Sequence, residues 1–321
     1  MSALFLAGVD GGGTGTRVRL QGRDGRTLGE GEAGPSGLGQ GVEQAWRHVL
    51  QALAAAFHDA GLAVAPPADI ALGLGLAGAG VPAQRAAFLQ ADPGFARCVL
   101  ANDGVTQLLG AHAGGAGIVV AAGTGSVAAA RDAAGHTRQC GGWGYPVGDE
   151  GSGAWLGLQA MRHAHAVLDG RDAGSALSAA VFNVAGAEAP VLLAWCAGAG
   201  ARRYAELAPL VFDAAEAGCA TAQALLQTAA DELAQLVHAL QPAAFTADAA
   251  SPGPGPGPGA AWPVVASGSV GARLAPLWPA ALRARLVQPA GDSMDGALQL
   301  VRDALNDALN DAPTDAQSGA R

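Results

Sequence analysis

The chain opens on a short apolar run, residues 4–9, that ends on Asp10 and passes at once into a loop almost without side chains, Gly11-Gly12-Gly13-Thr14-Gly15. An apolar run of that length, bounded by a turn signal, reads as a buried strand. Residues 17–20 and 26–30 continue as two further strands around Asp24-Gly25, a meander led by the glycine loop. A helix follows over 42–60, with Val42, Trp46, Val49, Leu50 and Leu53 at helical spacing and Gly61 as its stop. Residues 70–76 read as a second buried strand, 81–90 as a helix with Pro82 in its first turn, 98–101 as a short strand and 105–112 as a helix. The pattern then restarts. An apolar strand over 117–121 meets a second glycine-hydroxyl loop, Gly123-Thr124-Gly125-Ser126, and a second hairpin over 127–131 and 136–139. A strand, a Gly/Thr loop and a hairpin occurring twice predict two related half-domains, each presenting a loop to a shared cleft. Beyond them lie a helix over 154–168, a helical region over 172–240, a strand over 262–266, a last strand near 285–287 and a helix over 295–309.

The first loop is a phosphate site in outline. Backbone without Cβ atoms can approach a polyanion closely, free N–H groups can point at its oxygens, and a carboxylate at the strand end can hold a hydrated divalent cation. Taken alone, a ligand-free glycine-rich hairpin accounts for it equally well. Three carboxylates add weight: Asp10, Asp103 and Asp149 each sit at a predicted strand end or in a glycine loop, where an open α/β sheet places its ligands. Transfer of a γ-phosphate to a hydroxyl needs one carboxylate to take the proton and another to organise the metal. As single residues, turn or helix-capping aspartates would explain them as well.

Composition removes several classes. The chain of 321 residues contains no lysine, so all 18 of its Lys+Arg are arginine. A Walker A loop and a protein-kinase fold both require a lysine and are excluded. The patterns Gly73-Leu74-Gly75-Leu76-Ala77-Gly78 and Gly123-Thr124-Gly125-Ser126-Val127-Ala128 fit a dinucleotide fingerprint but lack its helix and its ribose-binding acid at the right places. A formal charge of −9 argues against nucleic acid as a partner. No apolar run approaches a membrane span and no basic leader precedes the first strand, so a cytoplasmic protein with no membrane partner is expected. Cys98, Cys140, Cys196 and Cys219 are scattered, without a CxxC pair; His163 and His165 do not share a helix face; no GxSxG elbow occurs.

The motifs GVDGGGT at 8–14, LAGAG at 76–80, NDG at 102–104, GTGS at 123–126, GGWGYPVGDEGSG at 141–153 and SGSV at 267–270 run in order along nearly the whole chain. Together they resemble the BadF/BadG/BcrA/BcrD-type ATPase family, and within it the N-acetylglucosamine and glucosamine kinases of the actin/hexokinase/Hsp70 superfamily. The resemblance implies an α/β fold of two ribonuclease H-like, actin-like ATPase lobes with an interlobe cleft. It also implies ATP and Mg²⁺ as cofactors and transfer of phosphate to O6 of an amino sugar. By similarity, Asp10 would position the metal, Gly11, Gly12, Gly13 and Thr14 would meet the β/γ-phosphates, and Gly123, Thr124, Gly125 and Ser126 would form a second phosphate clamp. Gly268, Ser269 and Val270 would face the adenosine, and Asp103 would be the general base. Ser36, Ala77, Gly78, Asn102, Gly142, Trp143, Gly144 and Asp149 would contact the sugar. The family usually carries an asparagine in the loop before its first helix, where this chain has Pro35-Ser36-Gly37, and the residues do not separate N-acetylglucosamine from glucosamine.

The expected organisation is a first lobe over 1–105 with the helix 295–310 crossing back to it. A second lobe would span 106–294, interrupted by a disordered Pro-Gly insertion at 249–260, and residues 311–321 would form a flexible tail. A homodimer is the family habit. Two alternatives share the fold: an ATPase activator of a reductase or dehydratase, and a kinase of another sugar.

Overall fold

The structure, a computed structural model, describes residues 4–241 and 261–310. The Pro-Gly stretch at 249–260 and the tail at 311–321 therefore lie outside the described residues. The chain divides into two compact units, one of residues 1–115 with 288–321 and one of residues 116–287.

The first unit is built on a five-stranded sheet of β1 (Phe5–Gly11), β2 (Thr16–Gly22), β3 (Thr27–Ala33), β4 (Ile70–Leu76) and β5 (Arg97–Ala101), in the order β3-β2-β1-β4-β5. β1, β2 and β3 form the antiparallel meander, and β4 and β5 add on parallel to β1. Helix α1 (Val42–Asp59) turns Ala45, Trp46, Val49, Leu53 and Phe57 inward onto one face, where they share a core with Val9, Leu72, Leu74 and Leu76. Helices α2 (Pro82–Gln90) and α3 (Asp103–Ala111) follow β4 and β5.

The opposite face explains Gly8 and Gly73. A Cβ on Gly73 would stand 1.9 Å from the Ala297 carbonyl oxygen, and one on Gly8 would stand 2.3 Å from that of Met294. The C-terminal helix, Ser293–Asn310, lies directly on the sheet there because those positions carry no side chain. The same device seats it on α3, since a Cβ on Gly296 would be 1.8 Å from the Thr106 carbonyl oxygen. Arg19 then holds the start of that helix through Asp292 and Asp295, at 3.0 and 2.5 Å. This packing keeps α3 within the first unit, so the division falls after it, beyond the boundary drawn near 105 from the sequence.

The second unit repeats the plan with β6 (Gly117–Ala122), β7 (Ser126–Arg131), β8 (Thr137–Gly141) and β9 (Val264–Ser267), ordered β8-β7-β6-β9. β6, β7 and β8 are the antiparallel meander and β9 the parallel addition. The strand expected at 285–287 is reduced to a single bridge from Leu286 to Val264, because Pro289 follows within three residues and cannot donate to a ladder. Around the sheet lie α4 (Gly153–Leu168), α5 (Ala176–Ala185), α6 (Ala189–Ala197), α7 (Ala201–Ala205), α8 (Ala208–Glu216), α9 (Ala220–Ala239), α10 (Gly268–Leu274) and α11 (Ala280–Arg283); the C-terminal helix is α12. Ile118, Val120, Leu156, Met161, Leu233 and Trp278 are fully or nearly fully buried at the centre.

Candidate active site

In the first unit β1 delivers Asp10 to the sheet edge and the chain turns tightly, with the Gly12 amide donating to the Gly15 carbonyl at 3.0 Å. The amides of Gly13 and Thr14 make no hydrogen bond among the described residues, as an anion-binding turn requires. The turn is braced from beneath. Ser36 and Gly37 both donate backbone N–H bonds to the Gly12 carbonyl, and the Ala77 amide donates to the Gly11 carbonyl at 2.9 Å. Ser36 is completely buried, its Oγ 2.7 Å from Thr16 Oγ1. Expected as a sugar contact, Ser36 is a strut under the loop, and a Cβ on Gly11 would collide with its hydroxyl.

Asp10 and Asp103 line the same cavity of about 470 Å³, together with the loop residues Gly11, Gly12, Thr14 and Gly15, and with Arg17 and Glu32. Asp103 arrives from β5 through Asn102, whose side chain caps α3 by accepting from the Gly104 amide at 2.8 Å. Burial pushes the Asp103 carboxyl above the ordinary aspartate range; the Gly104 N–H, donating to it at 3.0 Å, opposes this, and the neighbouring Asp10 charge adds to the rise. Such a carboxylate is a stronger proton acceptor than an exposed one. Ala77 and Gly78 form the turn after β4, beside the Leu38–Gln40 turn, and Gly80 lies close to the Asn102 amide.

In the second unit the Gly123 amide donates to the Gly125 carbonyl at 2.9 Å, and the carbonyls of Gly123 and Thr124 receive the first amides of α4. The Thr124 and Gly125 amides are left without partners among the described residues. Asp149, at φ 64°, turns its carboxylate onto this loop: Oδ1 accepts from the Ser126 amide at 3.3 Å, and a Cβ on Gly125 would stand 2.8 Å from Oδ2. Glu150 contributes its carbonyl, which accepts from Ser126 Oγ at 2.7 Å. Gly142 and Gly144 hold positive φ on either side of Trp143, whose side chain is 85 % exposed.

Gly123, Thr124, Ser269 and Val270 line a second cavity, of about 200 Å³. Gly268 opens α10 at φ 79°, close against the Ala122 carbonyl. Phe212 and Arg273 share that cavity; the guanidinium lies 3.8 Å over the Phe212 ring and is tied to Glu216 at 2.7 Å. Sequence reasoning missed both, because neither belongs to a motif and they meet only through α8 and α10. It also missed Arg17, although hairpin register alone opposes it to Asp10.

The two units thus each carry a glycine turn with unpartnered amides on one and the same sheet plan, an arrangement suited to binding phosphates. Residues 7–249 match the BadF/BadG/BcrA/BcrD ATPase family, and the chain belongs to it. Glucosamine kinase GspK of Vibrio cholerae is 35 % identical over 71 % of this chain and 77 % of its own length. An N-acetylmuramic acid/N-acetylglucosamine kinase of Clostridium acetobutylicum is 30 % identical over 52 % of this chain and 55 % of its own. The crystal structure of a candidate N-acetylglucosamine kinase from Chromobacterium violaceum superimposes with a TM-score of 0.82 at 44 % identity, covering 94 % of this chain and all of that one.

Proposed function

We propose that this chain is an ATP-dependent amino-sugar kinase that phosphorylates glucosamine or N-acetylglucosamine at O6. The observation that carries the reading is the cavity of the first unit, in which one glycine turn, Asp10 and a partly buried Asp103 stand together.

In this reading the amides of Gly13 and Thr14 receive the terminal phosphates, and those of Thr124 and Gly125 form the second clamp. The base enters the 200 Å³ cavity beside Val270 and Arg273. Asp103 takes the proton from the sugar hydroxyl as its oxygen attacks the γ-phosphorus, and its raised proton affinity suits that step. Asp149 orders Ser126 and the second loop and, with Gly142, Trp143, Gly144, Ala77, Gly78 and Asn102, remains our proposal for the sugar's surroundings. Ser36 acts through the phosphate loop.

The donor set fits magnesium. No group of three or more His, Cys, Asp or Glu side chains among the described residues could hold a metal by itself, and Mg²⁺ characteristically takes one or two carboxylates together with substrate phosphates and waters. Asp10 would hold it, and when bound it would neutralise charge on the transferring phosphoryl group. The family habit of forming homodimers is carried over, to be checked by light scattering.

The test is incubation of the full chain with Mg-ATP and a panel of glucosamine, N-acetylglucosamine, N-acetylmuramic acid and plain hexoses, reading ADP release and product mass. Release with an amino sugar and a phosphate-sized mass gain on that sugar are expected; ADP release with none of them would end the reading.

A further inference from the structure

Among the described residues Arg17 is the one cation lining the first cavity, which the carboxylates of Asp10, Glu32 and Asp103 also line. Strand register fixes it in place: Arg17 opposes Asp10 across β1 and β2, and Glu32 across β2 and β3. Its guanidinium grips Asp10 Oδ2 at 2.6 Å. A metal ion approaching Asp10 therefore meets the charge of the guanidinium already on that oxygen, and the two cations compete for one carboxylate. The pair opens readily, since the two side chains are 47 % and 22 % exposed and water screens an ion pair with that access.

A polyphosphate entering this cavity also meets a strong local field of the wrong sign. Three carboxylates repel it, the chain has no lysine anywhere, and the free amides of Gly13 and Thr14 carry only partial charges. A guanidinium one residue beyond Thr16, at the mouth of the turn, is placed to answer this, with two donors in the geometry that suits phosphate oxygens.

We propose that Arg17 is an exchange residue: in the free protein it occupies the cation position on Asp10, and when metal and nucleotide bind it leaves that carboxylate and forms charge-assisted hydrogen bonds to the nucleotide's phosphate oxygens. The proposal rests on the nucleotide reading above. It gives Arg17 opposite effects on two ligands of one cavity. Arg17 competes with a divalent cation that comes alone, and it assists a divalent cation that comes with a diphosphate.

The experiment compares wild type, Arg17→Ala and Arg17→Lys as full chains, with titration calorimetry of Mg-ADP, the free Mn²⁺ resonance signal during titration with Mn²⁺ alone, and thermal melts. For Arg17→Ala, Mg-ADP is expected to bind about 10- to 100-fold more weakly, the loss of a charge-assisted contact, while Mn²⁺ alone binds about 2- to 5-fold more tightly. Arg17→Lys should recover part of the Mg-ADP affinity, since it restores the charge without the fork. Equal Mg-ADP affinity in wild type and Arg17→Ala overturns the proposal and leaves the nucleotide reading standing. A parallel weakening of both ligands with a lowered melting temperature also overturns it, because that pattern marks a merely structural ion pair. A wild-type chain that binds no Mg-ADP at all removes the nucleotide reading, and the proposal with it.

Discussion

Both units set a glycine turn between the first strand of a meander and its antiparallel neighbour, yet the groups around the two turns differ in charge and in task. The first turn, Gly12 to Gly15, opens into a cavity with three carboxylates and one guanidinium, and one of those carboxylates is held with a raised proton affinity. The second, Gly123 to Gly125, is closed on one side by its own carboxylate: Asp149 accepts from the Ser126 amide and lies close against Gly125. Its cavity offers an aromatic ring, a stacked guanidinium and the start of α10. One supersecondary plan thus carries two different surroundings. Its backbone leaves unpartnered amides in both copies, and the side chains beside it make the first cavity a cluster of charges and the second an aromatic ring with a stacked guanidinium.

The largest expected effect tests whether the two aspartates differ as their surroundings do. Asp103→Asn should lower kcat by about 100-fold or more in a coupled ADP-release assay, with ATP KM little changed, the scale of a lost general base. Asp149→Asn keeps the shape but weakens the bond to Ser126, and should instead act mainly on KM and stability, by about 1 kcal/mol. Equal loss of kcat in both variants would erase the distinction.

Next comes the use of glycine. Gly73→Ala places a methyl 1.9 Å from a backbone oxygen of α12 and should cost about 3 kcal/mol, seen in denaturant midpoints. Gly123 has open space around its Cβ position and an ordinary φ, so Gly123→Ala should leave stability within about 0.5 kcal/mol while weakening ATP binding. A smaller effect is expected at the base cavity. Arg273→Ala, which strips the stacked guanidinium from Phe212 and from the cavity wall, should raise ATP KM severalfold and leave sugar KM unchanged, as read in steady-state ADP release.

The smallest concerns pH. Because the folded pKa of Asp103 lies above its unfolded value, its neutral form is favoured by the fold, and ionisation at neutral pH detracts from stability. Activity needs the ionised base, so kcat should fall as pH drops through that raised value, a limb above the ordinary aspartate range. The contribution of Asp103 to stability should rise over the same interval, against the loss from Asp132, Asp172 and Asp292, whose carboxyls are held below the ordinary range. Asp103→Asn should lose the acid limb of activity and melt slightly higher than wild type at neutral pH, as followed by calorimetry.

Much of this was legible in the residues. Apolar runs ending on Asp10 and on the second glycine loop announced β1 and β6, and the repeat of strand, loop and hairpin announced two sheets of one plan. Asn102-Asp103 after β5 marked a carboxylate at a strand end, although α3 begins at Asp103 itself, since Asn102 rather than a later residue caps it. Other glycines could be set aside from the sequence but not explained by it. Gly73 and Gly75 fit a dinucleotide fingerprint, but Gly73 serves close packing against α12, on chain more than 200 residues away, and Gly75 against the Thr106 side chain, a contact that only the fold makes. Ser36 stood where a sugar contact was expected, and only the fold put Thr16 against its hydroxyl.

The sequence by itself determined the two glycine turns, the carboxylates at strand ends and the absence of lysine, because backbone freedom and charge type are properties of residues. Tertiary structure alone decided which carboxylate is available for chemistry, which is tied to a loop, and which arginine stands on Asp10. Those roles depend on burial, on hydrogen-bond partners brought from other strands and on distances of a few ångströms, none of which is carried by a residue's identity.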